Sequence, residues 1–380
     1  MSTPVRIGVL FGGPSAEHDV SCASALGVVR ALVDGGYHAV AIGITRNRGL
    51  RLVPEAVLSQ LVGGTTAGRA IDDRLTVTGP AVELRPGVRP HTAVVTALEA
   101  PSRSSVELDV IFPVLHGPFG EDGVVQGLLE SVGVPYVGCG ILASAVAMDK
   151  VAMKRALRAE GLPVTPYVSF DAAAYRAMKD AEKLVLGLRR PLFVKPARMG
   201  SSIGISRVSD GDDLTTAIDE ALRHDSLVVV EQGVSGRELE CGVLGGSCPE
   251  SSTVGEVRVT GGWFDYRQKY LGDTDPMIVP APLPPKVIER VRDLSVRAFA
   301  AIGGWGLARV DFLYDEAADE LYVNELNTMP GFTAHSMFPK VWAAAGVGYG
   351  EILDRLVALA FARHADGPQH VGRLDAGGGR

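Results

Sequence analysis

The sequence lacks a long apolar run, a cysteine framework and an excess of positive charge. No apolar stretch reaches the roughly 18 residues of a membrane helix, and the first residues lack the basic and apolar regions of a signal peptide. The four cysteines, Cys22, Cys139, Cys241 and Cys248, form neither a C-x-x-C pair nor a zinc-ligand spacing. We therefore expect reduced, mostly buried thiols and a cytoplasmic protein without a membrane partner.

The charge balance also narrows the function. A formal net charge of −7 gives no reason to expect nucleic acid, whose binding usually shows as a basic face. What the chain has in quantity is apolar residues, 46% of 380, which suffice for a large core and for two or three domains. The remaining partners are small molecules, whose phosphate groups need only local cations.

The opening of the chain has the pattern of a strand, a turn and a helix. Val5 to Phe11 is apolar and rich in β-branched residues, Gly12-Gly13-Pro14 breaks the run, and a helix with Ser15 as its N-cap is predicted through Val33. Because strands and helices continue to alternate, an α/β protein with a parallel sheet is expected. Further predictions are strands over 38–45 and 108–115, a helix over 123–132, and loops with short strands over 46–107.

Three domains are predicted along the chain. One amphipathic helix is expected over 141–161, and a polar aromatic loop over 261–276 precedes the last helices. Later strands are predicted over 163–170, 191–196, 203–208 and 227–232, and helices over 212–224, 285–303 and 349–365. The domains are 1–140, 141–233 and 234–365, and the glycine-rich tail 366–380 is expected to be disordered.

Three hard oxygen ligands lie on two strand-like runs in the last third of the chain. Asp311 belongs to the first run, while Glu325 and Asn327 are two apart in the next and face the same side of a strand. Two carboxylates and an amide carbonyl suit Mg²⁺ that also binds phosphate. In isolation these residues would be read as a polar turn closing a hairpin, but Arg309 and the Pro330-Gly331 break favour a site.

A lysine followed by a small, flexible turn could hold phosphate. Lys195 ends a predicted strand, and Gly200-Ser201-Ser202 can lie over phosphates with their backbone N–H groups. The order differs from a Walker A loop, because the lysine comes first and no helix follows. A plain hairpin turn is an equally good interpretation of these residues alone, and Lys150 by itself would be a solvated helix charge.

The end of the predicted strand 227–232 and the residues after it could bind a nucleotide. The backbone from Glu231 to Val234 could read adenine while a carboxylate takes the ribose hydroxyls. Glu231 and Glu238 are both candidates for the ribose, and an ordinary surface turn is the alternative for each. The sequence chemistry leaves this choice open.

An amino-acid site is indicated near the first domain. His116 follows an apolar strand, at the end where α/β proteins bind ligands, and glycines on both sides allow close approach. The negative charges of Glu17 and Asp19 disfavour binding of a dinucleotide pyrophosphate and favour binding of a cation such as an ammonium group. The alternative for His116 is a polar residue at a strand end whose hydrogen bonds are all made within the protein. The alternative for Glu17 and Asp19 is that they stabilise a helix N-terminus, as Glu121 and Asp122 are expected to do for the next helix.

Together these motifs resemble the ATP-grasp superfamily, and specifically the D-alanine–D-alanine ligases. The similarity covers residues 5 to about 362 and six motifs in family order. They are Gly12 to Ser21, His116 to Gly123, Lys195-Pro196 with Gly200-Ser201-Ser202, Lys269-Tyr270-Leu271, Arg309-Val310-Asp311 and Asn324 to Thr333. The resemblance implies an α+β ATP-grasp fold, in which a Rossmann-like parallel-sheet domain is followed by two α+β subdomains that clasp ATP.

The resemblance also implies residue roles on the nucleotide side. ATP contacts would come from Lys150, Lys195, Glu231, Val234, Glu238, Trp263 and Lys269, with Glu238 on the ribose and Trp263 packing on adenine. Two Mg²⁺ or Mn²⁺ ions would be held by Asp311, Glu325 and Asn327. A requirement for a monovalent cation is left open. Gln232-Gly233 departs from relatives that tend to carry a lysine and a bulky residue there.

On the substrate side, the resemblance implies two D-alanine positions. Glu17 would hold the first ammonium, His116 would lie near the first carboxylate, and Ser336, Met337 and Lys269 would bind the second D-alanine. Arg309 and the backbone N–H of Gly331 would stabilise the oxyanion. Glu17, Ser201 and Tyr270 would close the loop 261–276 over the site.

The implied activity is ATP-dependent formation of D-alanyl-D-alanine through a D-alanyl phosphate, for peptidoglycan precursors, by a homodimer. The alternatives within the fold are ligases that join D-alanine to D-lactate or D-serine, of which Tyr270 argues against the ester-forming kind. A biotin-carboxylase-like enzyme is disfavoured by the motifs of Glu17 and His116. A nucleotide-binding regulator without turnover is disfavoured by the intact metal ligands, and a nicotinamide oxidoreductase by the absence of G-x-G-x-x-G.

Overall fold

A computed structural model describes residues 4–63, 74–98, 105–178, 180–258 and 276–366. The helices are α1 His18–Asp34, α2 Glu55–Gly63, α3 Val124–Val132, α4 Ile141–Met148, α5 Lys150–Ala159, α6 Ala172–Ala177, α7 Leu214–His224, α8 Pro285–Ala301, α9 Met337–Ala344 and α10 Tyr349–Asp366, with a 3₁₀ turn at Ala181–Val185. The predicted residues Trp263, Lys269 and Tyr270, almost all of the loop 261–276 and the tail from residue 367 lie outside the described ranges.

The strands form four sheets within the described residues. In chain order they are β1 Arg6–Gly12, β2 His38–Ile44, β3 Leu50–Leu52, β4 Val82–Pro86, β5 Ala93–Ala97, β6 Ser105–Leu108, β7 Val110–Val114, β8 Tyr167–Asp171, β9 Leu192–Pro196, β10 Ser206–Val208, β11 Leu227–Gln232, β12 Arg237–Gly245, β13 Glu250–Val257, β14 Met277–Ile278, β15 Gly306–Asp315 and β16 Glu320–Asn327.

The first sheet has the order β3-β2-β1-β7, and β1 pairs in parallel with both β2 and β7. The predicted parallel sheet is therefore confirmed. The predicted N-cap is wrong, because α1 begins at His18 with Glu17 in the cap position. The hydroxyl of Ser15 instead donates to the carbonyl oxygen of His116 at 2.7 Å, which ties the first turn to the end of β7.

The second sheet, β4-β5-β6, is antiparallel. It supplies the short strands that were predicted before residue 107, whereas α2 in the same region was not predicted. The predicted strand over 108–115 is split, because Leu108 ends β6 and Val110 begins β7. Between them the Asp109 carboxylate accepts from Arg6 N at 2.8 Å and from Arg89 Nη2 at 2.9 Å, where the chain passes from one sheet to the other.

The predicted single helix over 141–161 is also wrong. Asp149 is extended, with φ −87° and ψ 102°, and its side chain caps the next helix by accepting from Val151 N and Ala152 N. A capping side chain satisfies backbone donors that a helix start leaves without partners. The break allows Lys150 N to donate to Ala197 O at 3.0 Å, so that α5 begins beside the loop after β9.

The third sheet, β10-β9-β11-β8, and the fourth, β14-β13-β12-β15-β16, are antiparallel. Strand β11 has the predicted bounds. The loop from β9 to β10 covers 197–205 and is three residues longer than predicted, because β10 begins at Ser206 and not at residue 203. In the fourth sheet, Glu240, Asp311 and Glu325 are neighbours across β12, β15 and β16. Asp366 ends α10, so this residue is helical and not part of a disordered tail.

One hydrophobic cluster joins the two ends of the chain. It contains Phe11 of β1 and Leu26 of α1 together with Phe332, Phe338 and Trp342 near and in α9. This packing places the start of α1 next to the segment that follows β16. No helix within the described residues is long and apolar enough to cross a membrane. Three of the four cysteines are buried and all four are unpaired, as expected.

Candidate active site

Two cavities adjoin between the sheets. The larger, of about 610 Å³, lies between the third and fourth sheets, and the smaller, of about 180 Å³, lies between the fourth sheet and the start of α1. The wall residues that they share include Lys150, Ser201, Glu240 and Glu325. A ligand in one cavity can therefore meet a ligand in the other across this shared wall.

A row of carboxylates crosses the floor of the two cavities. Arg309 lies among them, and its Nε and Nη2 each donate to one oxygen of Asp311 at 2.7 Å. Its Nε is also 2.9 Å from Glu240 Oε2, and Asn327 Nδ2 donates to Asp311 Oδ2 at 3.0 Å. Burial alone would lower the pKa of Arg309, but Asp311 and Glu240 outweigh it and raise the pKa well above its ordinary value.

The donor set fits a divalent cation. The carboxylates of Glu240, Asp311 and Glu325 outnumber the single guanidinium of Arg309, and oxygen ligands are those that Mg²⁺ and Mn²⁺ prefer. Among the described residues no three His, Cys, Asp or Glu side chains already surround one point. Asp311 Oδ2 already accepts from Arg309 and Asn327, so a cation held by Asp311 would take the place of one of these donors or bind at Oδ1.

Cationic side chains approach the larger cavity from the other side. Lys150 Nζ donates to Met199 O at 2.7 Å and lies 3.9 Å from Glu325 Oε2. Lys195 Nζ donates to Glu231 Oε2 at 3.3 Å. Lys150 is buried, so it is not the solvated helix charge that it would be taken for in isolation.

Glu231 anchors a buried network beneath these lysines. Lys154, fully buried, lies 3.3 Å from Glu231 Oε1, and Thr165 donates to Glu231 Oε2 at 2.9 Å. Burial would raise the pKa of Glu231, but Lys154 and Lys195 outweigh this effect and lower the pKa to about 2. The carboxylate of Glu231 is therefore ionised and held by groups inside the protein.

The loop after β9 has a tight backbone. Ser201 and Ser202 have φ of 51° and 58°, in the left-handed region that residues other than glycine rarely adopt. Gly200 lies near the start of α1, since a Cβ on it would be 3.5 Å from Glu17 Oε2. The loop thus brings Ser201 and Glu17, which the family resemblance placed in one set, to the same cavity.

Glu17 enters the smaller cavity beside Gly117. This glycine has φ +73°, and a Cβ on it would lie 2.5 Å from Glu17 Oε2, so any larger residue would displace the carboxylate. The neighbouring His116 is buried, and burial lowers its pKa, so that the ring is neutral. Its Nδ1 bonds to Met329 O at 2.8 Å and its Nε2 to Ser24 Oγ at 3.1 Å.

Glu121 also belongs to this cavity and not to a helix. Helix α3 begins at Val124, and the carboxylate of Glu121 turns inward to accept from Gly117 N at 2.7 Å and Met329 N at 2.9 Å. Burial, and next the charge of Glu17, raise its pKa to about 8. The expectation of a helix N-terminal acid at Glu121 is therefore wrong.

Comparison with known proteins identifies the family. The family model described as D-ala D-ala ligase N-terminus matches residues 6–139, and the one described as D-ala D-ala ligase C-terminus matches residues 156–358. The chain belongs to the D-alanine–D-alanine ligase family. The expected α+β ATP-grasp architecture is confirmed, and membership implies use of ATP and a divalent metal ion.

Individual relatives of this ligase family match over almost their whole length. A D-alanine–D-alanine ligase of Mycolicibacterium paratuberculosis is 45% identical over 376 residues, which cover 95% of this chain and 98% of that protein. The structure of the Coxiella burnetii D-alanine–D-alanine ligase has 30% identity and a TM-score of 0.77, with 96% of both chains covered. The VanG D-Ala:D-Ser ligase of Enterococcus faecalis has 33% identity and a TM-score of 0.79, with 94% of this chain and 100% of that chain covered.

The site residues that were predicted from the sequence converge in the fold. Every one of them within the described ranges lines a cavity, and Ser201, Lys150 and Glu325 line both. The smaller cavity also has Glu17, His116, Arg309, Asn327, Gly331, Ser336 and Met337, and the larger has Lys195, Glu231, Val234, Glu238 and Asp311.

Four polar residues of the site were not predicted: Ser24, Lys154, Thr165 and Glu240. Two of them had a local signal. Lys154 is four residues after Lys150 and so shares its helix face, and Glu240 is two residues after Glu238 and so shares its strand face. Ser24 and Thr165 had none, because their partners are distant in the chain.

Proposed function

We propose that the chain is a D-alanine–D-alanine ligase that joins two D-alanines with conversion of ATP to ADP and phosphate, for peptidoglycan precursors. The observation that carries this proposal is the shared wall of the two cavities. The larger cavity has lysines and the oxygen donors Asp311 and Glu325. The smaller cavity has Glu17, whose carboxylate can bind an ammonium group. A γ-phosphate in the first can thus face a substrate carboxylate in the second.

ATP is proposed to bind in the larger cavity. Lys150 and Lys195 would hold its phosphates beneath the loop of Ser201, and the backbone from Glu231 to Val234 would meet adenine. Because the Glu231 carboxylate is engaged by Lys154, Lys195 and Thr165, we assign the ribose to Glu238. Trp263 and Lys269, outside the described ranges, would complete the nucleotide site.

Asp311, Glu325 and Asn327 are proposed to hold two Mg²⁺ ions, with Mn²⁺ as a substitute. When bound, such ions neutralise charge on the transferring phosphoryl group. The residues themselves keep the donor oxygens on one sheet face, and Arg309 balances part of their negative charge. Whether the activity also requires a monovalent cation can be measured by assaying the reaction with and without K⁺.

The reaction is proposed to run in two steps. Glu17 holds the ammonium of the first D-alanine, whose carboxylate attacks the γ-phosphorus of ATP to form D-alanyl phosphate and ADP. The deprotonated amine of the second D-alanine, held by Ser336, Met337 and Lys269, then attacks the carbonyl carbon, and the proton that its nitrogen loses on forming the peptide bond leaves with the phosphate. Arg309 and the N–H of Gly331 stabilise the oxyanion, and phosphate leaves.

Water must be kept from the acyl phosphate between the two steps. We propose that the loop 261–276, which carries Lys269 and Tyr270, closes over the smaller cavity for this purpose, with His116 and Ser201 at its floor. The hydrogen-bonded set of Glu17, Ser201 and Tyr270 would hold it shut. Glu17 and Ser201 both line that cavity.

Product analysis tests the function directly. The chain is incubated with ATP, Mg²⁺ and equal amounts of D-alanine, D-serine and D-lactate, and the products are identified by mass spectrometry. We expect D-alanyl-D-alanine to dominate. D-alanyl-D-serine as the main product would favour the second candidate, which the similarity to the VanG D-Ala:D-Ser ligase supports, and nucleotide binding without any product would favour a regulator.

Tyr270→Phe is expected to admit D-lactate as the second substrate. The hydroxyl is proposed to favour the amine nucleophile, so its loss should yield D-alanyl-D-lactate beside the dipeptide. Competition of D-alanine and D-lactate, read by mass spectrometry, measures the ratio. A variant that makes the dipeptide alone would remove this role from Tyr270.

Glu17→Gln is expected to raise the KM for the first D-alanine by about 10- to 100-fold, the loss typical of a charge-assisted hydrogen bond. Initial rates over a range of D-alanine concentrations measure it. Asp19→Asn is the control, because Asp19 lies on the same helix turn but pairs with Arg74 at the surface, 3.0 Å away. An unchanged KM in Glu17→Gln would contradict the ammonium role.

Three further expectations remain part of this proposal. We propose the domain limits 1–140, 141–233 and 234–365, and the distribution of the sheets along the chain supports them. A homodimer is expected from the family resemblance and can be checked by light scattering. We place the enzyme in the cytoplasm, where ATP is made and where its four unpaired cysteines would stay reduced.

A further inference from the structure

A chain of hydrogen bonds runs from α1 to the segment after β16. Phe332 N donates to Ser24 Oγ at 3.3 Å, and Ser24 Oγ is 3.1 Å from His116 Nε2. On the other edge of the same ring, His116 Nδ1 is 2.8 Å from Met329 O. Met329 and Phe332 are thus both fixed by one serine and one histidine, which lie more than 200 residues away in the sequence.

The direction of each bond follows from the groups involved. A carbonyl oxygen can only accept, so Nδ1 of His116 carries a proton, and in the neutral ring that burial favours, Nε2 then accepts from the hydroxyl of Ser24. This leaves the lone pairs of Ser24 for Phe332 N–H. Every polar atom in this series of hydrogen bonds is therefore either a donor or an acceptor without conflict, and the neutral imidazole of His116 lies at its centre.

Glu121 holds the same segment from the opposite side. Its Oε1 accepts from Met329 N, and its Oε2 accepts from Gly117 N, next to His116. Met329 is thus bonded at both its N–H and its carbonyl, and Phe332 is bonded at its N–H. Gly331 lies between them, so the direction of its own N–H is set by these anchors.

We propose that Ser24 and Glu121 are positioning residues that aim the Gly331 N–H at the oxyanion of the second step. The inference rests on the proposed function, which gives Gly331 that role. Ser24 is fully buried and is not among the residues that line either cavity, so it can act on the reaction only through its two partners, His116 and the Met329 to Phe332 segment. A displacement of about 1 Å at such a donor can cost about 100-fold in rate.

This role predicts a particular failure. Gly331 acts on the tetrahedral intermediate, so a misdirected N–H slows attack by the second amine more than it slows formation of D-alanyl phosphate. The waiting acyl phosphate then reacts with water, giving D-alanine and phosphate. ADP is still formed, but without dipeptide, and the ratio of ADP to dipeptide rises above one.

The test measures this ratio in Ser24→Ala and in Glu121→Gln. We expect dipeptide formation about 10- to 100-fold slower in both, with a raised ratio and little change in the KM for ATP. Ser21→Ala is the matched control. Ser21 is fully buried on the same helix and its hydroxyl also serves backbone, donating to Val114 O and accepting from Gly12 N at 2.8 Å, but it does not touch the Met329 to Phe332 segment.

The outcomes separate the claims. A ratio of one in both Ser24→Ala and Glu121→Gln, or an equal rise in Ser21→Ala, overturns the positioning role while the ligase function stands. A wild-type chain that forms no dipeptide overturns the function, and with it this inference. Because Glu121→Gln keeps the side-chain volume, it provides the answer if Ser24→Ala fails to fold.

Discussion

Replacing Asp311 or Glu325 with alanine is expected to lower kcat by about 1000-fold or more. These carboxylates are proposed to hold the ions that balance charge on the transferring phosphoryl group, and preorganised charges of this kind are among the largest contributions to catalysis. Asp311 and Glu325 are neighbours across β15 and β16, so each variant removes one side of the same site. The measurement is D-alanine-dependent ADP release at saturating ATP with Mg²⁺ or Mn²⁺.

The control for this prediction is Glu320→Ala. Glu320 begins the same strand as Glu325 but is exposed, and its carboxylate accepts from the hydroxyl of Tyr322 at 2.6 Å. Its loss should leave kcat near that of the wild type. Asp311→Ala also takes away a partner of Arg309, so the melting temperature of each variant must be recorded. Folded variants of Asp311 and Glu325 with near-normal kcat would refute the metal assignment.

The second large effect is on stability. Lys154→Met is expected to lower the free energy of unfolding by about 3–5 kcal/mol, because it leaves Glu231 in the interior with one cation fewer. Urea or guanidinium titration measures the change. Adding Glu231→Gln to Lys154→Met should recover part of the loss, since the buried charge that has lost one of its two cations is then removed as well. Full additivity of the two substitutions would contradict a direct coupling.

Lys183→Met provides the matched control for Lys154. Lys183 is a surface lysine with a carboxylate partner, Asp180, at 4.0 Å, and its side chain is 67% exposed. Exposed ion pairs contribute at most about 1 kcal/mol, so a loss in that range is expected. The comparison separates burial of the charge from the loss of a lysine as such.

The same network predicts a response to acid. The pKa of Glu231 is about 2 in the folded chain against an ordinary value of 4.5, so the folded state binds its proton less readily than the unfolded state. Its contribution to stability is complete above pH 4.5 and is lost as the pH falls from there towards 2. In Lys154→Met this acid-dependent loss should shrink, which unfolding titrations at several pH values can check.

Local pattern determined much of this protein in advance. Side chains two apart share a strand face whatever the strand pairs with, so Glu325 and Asn327 could be placed together from their spacing alone. A continuous apolar run predicted β11 with its bounds, and the glycine and serine residues after Lys195 predicted the loop that meets both cavities. The motifs that carry the family resemblance are likewise short segments, each recognisable without knowledge of the fold.

Tertiary structure alone decided the features that join distant segments. The amphipathic pattern over 141–161 continues through Asp149, and the helix breaks there in the fold, where Lys150 N meets Ala197 O. Ser24 became part of the site because α1 packs beside the segment after β16, 308 residues from Ser24 to Phe332. Spacing along the chain shows which nearby side chains share a face of a helix or strand. Burial and hydrogen-bond partners depend instead on which surfaces come into contact, and these contacts form only when the sheets and helices pack together.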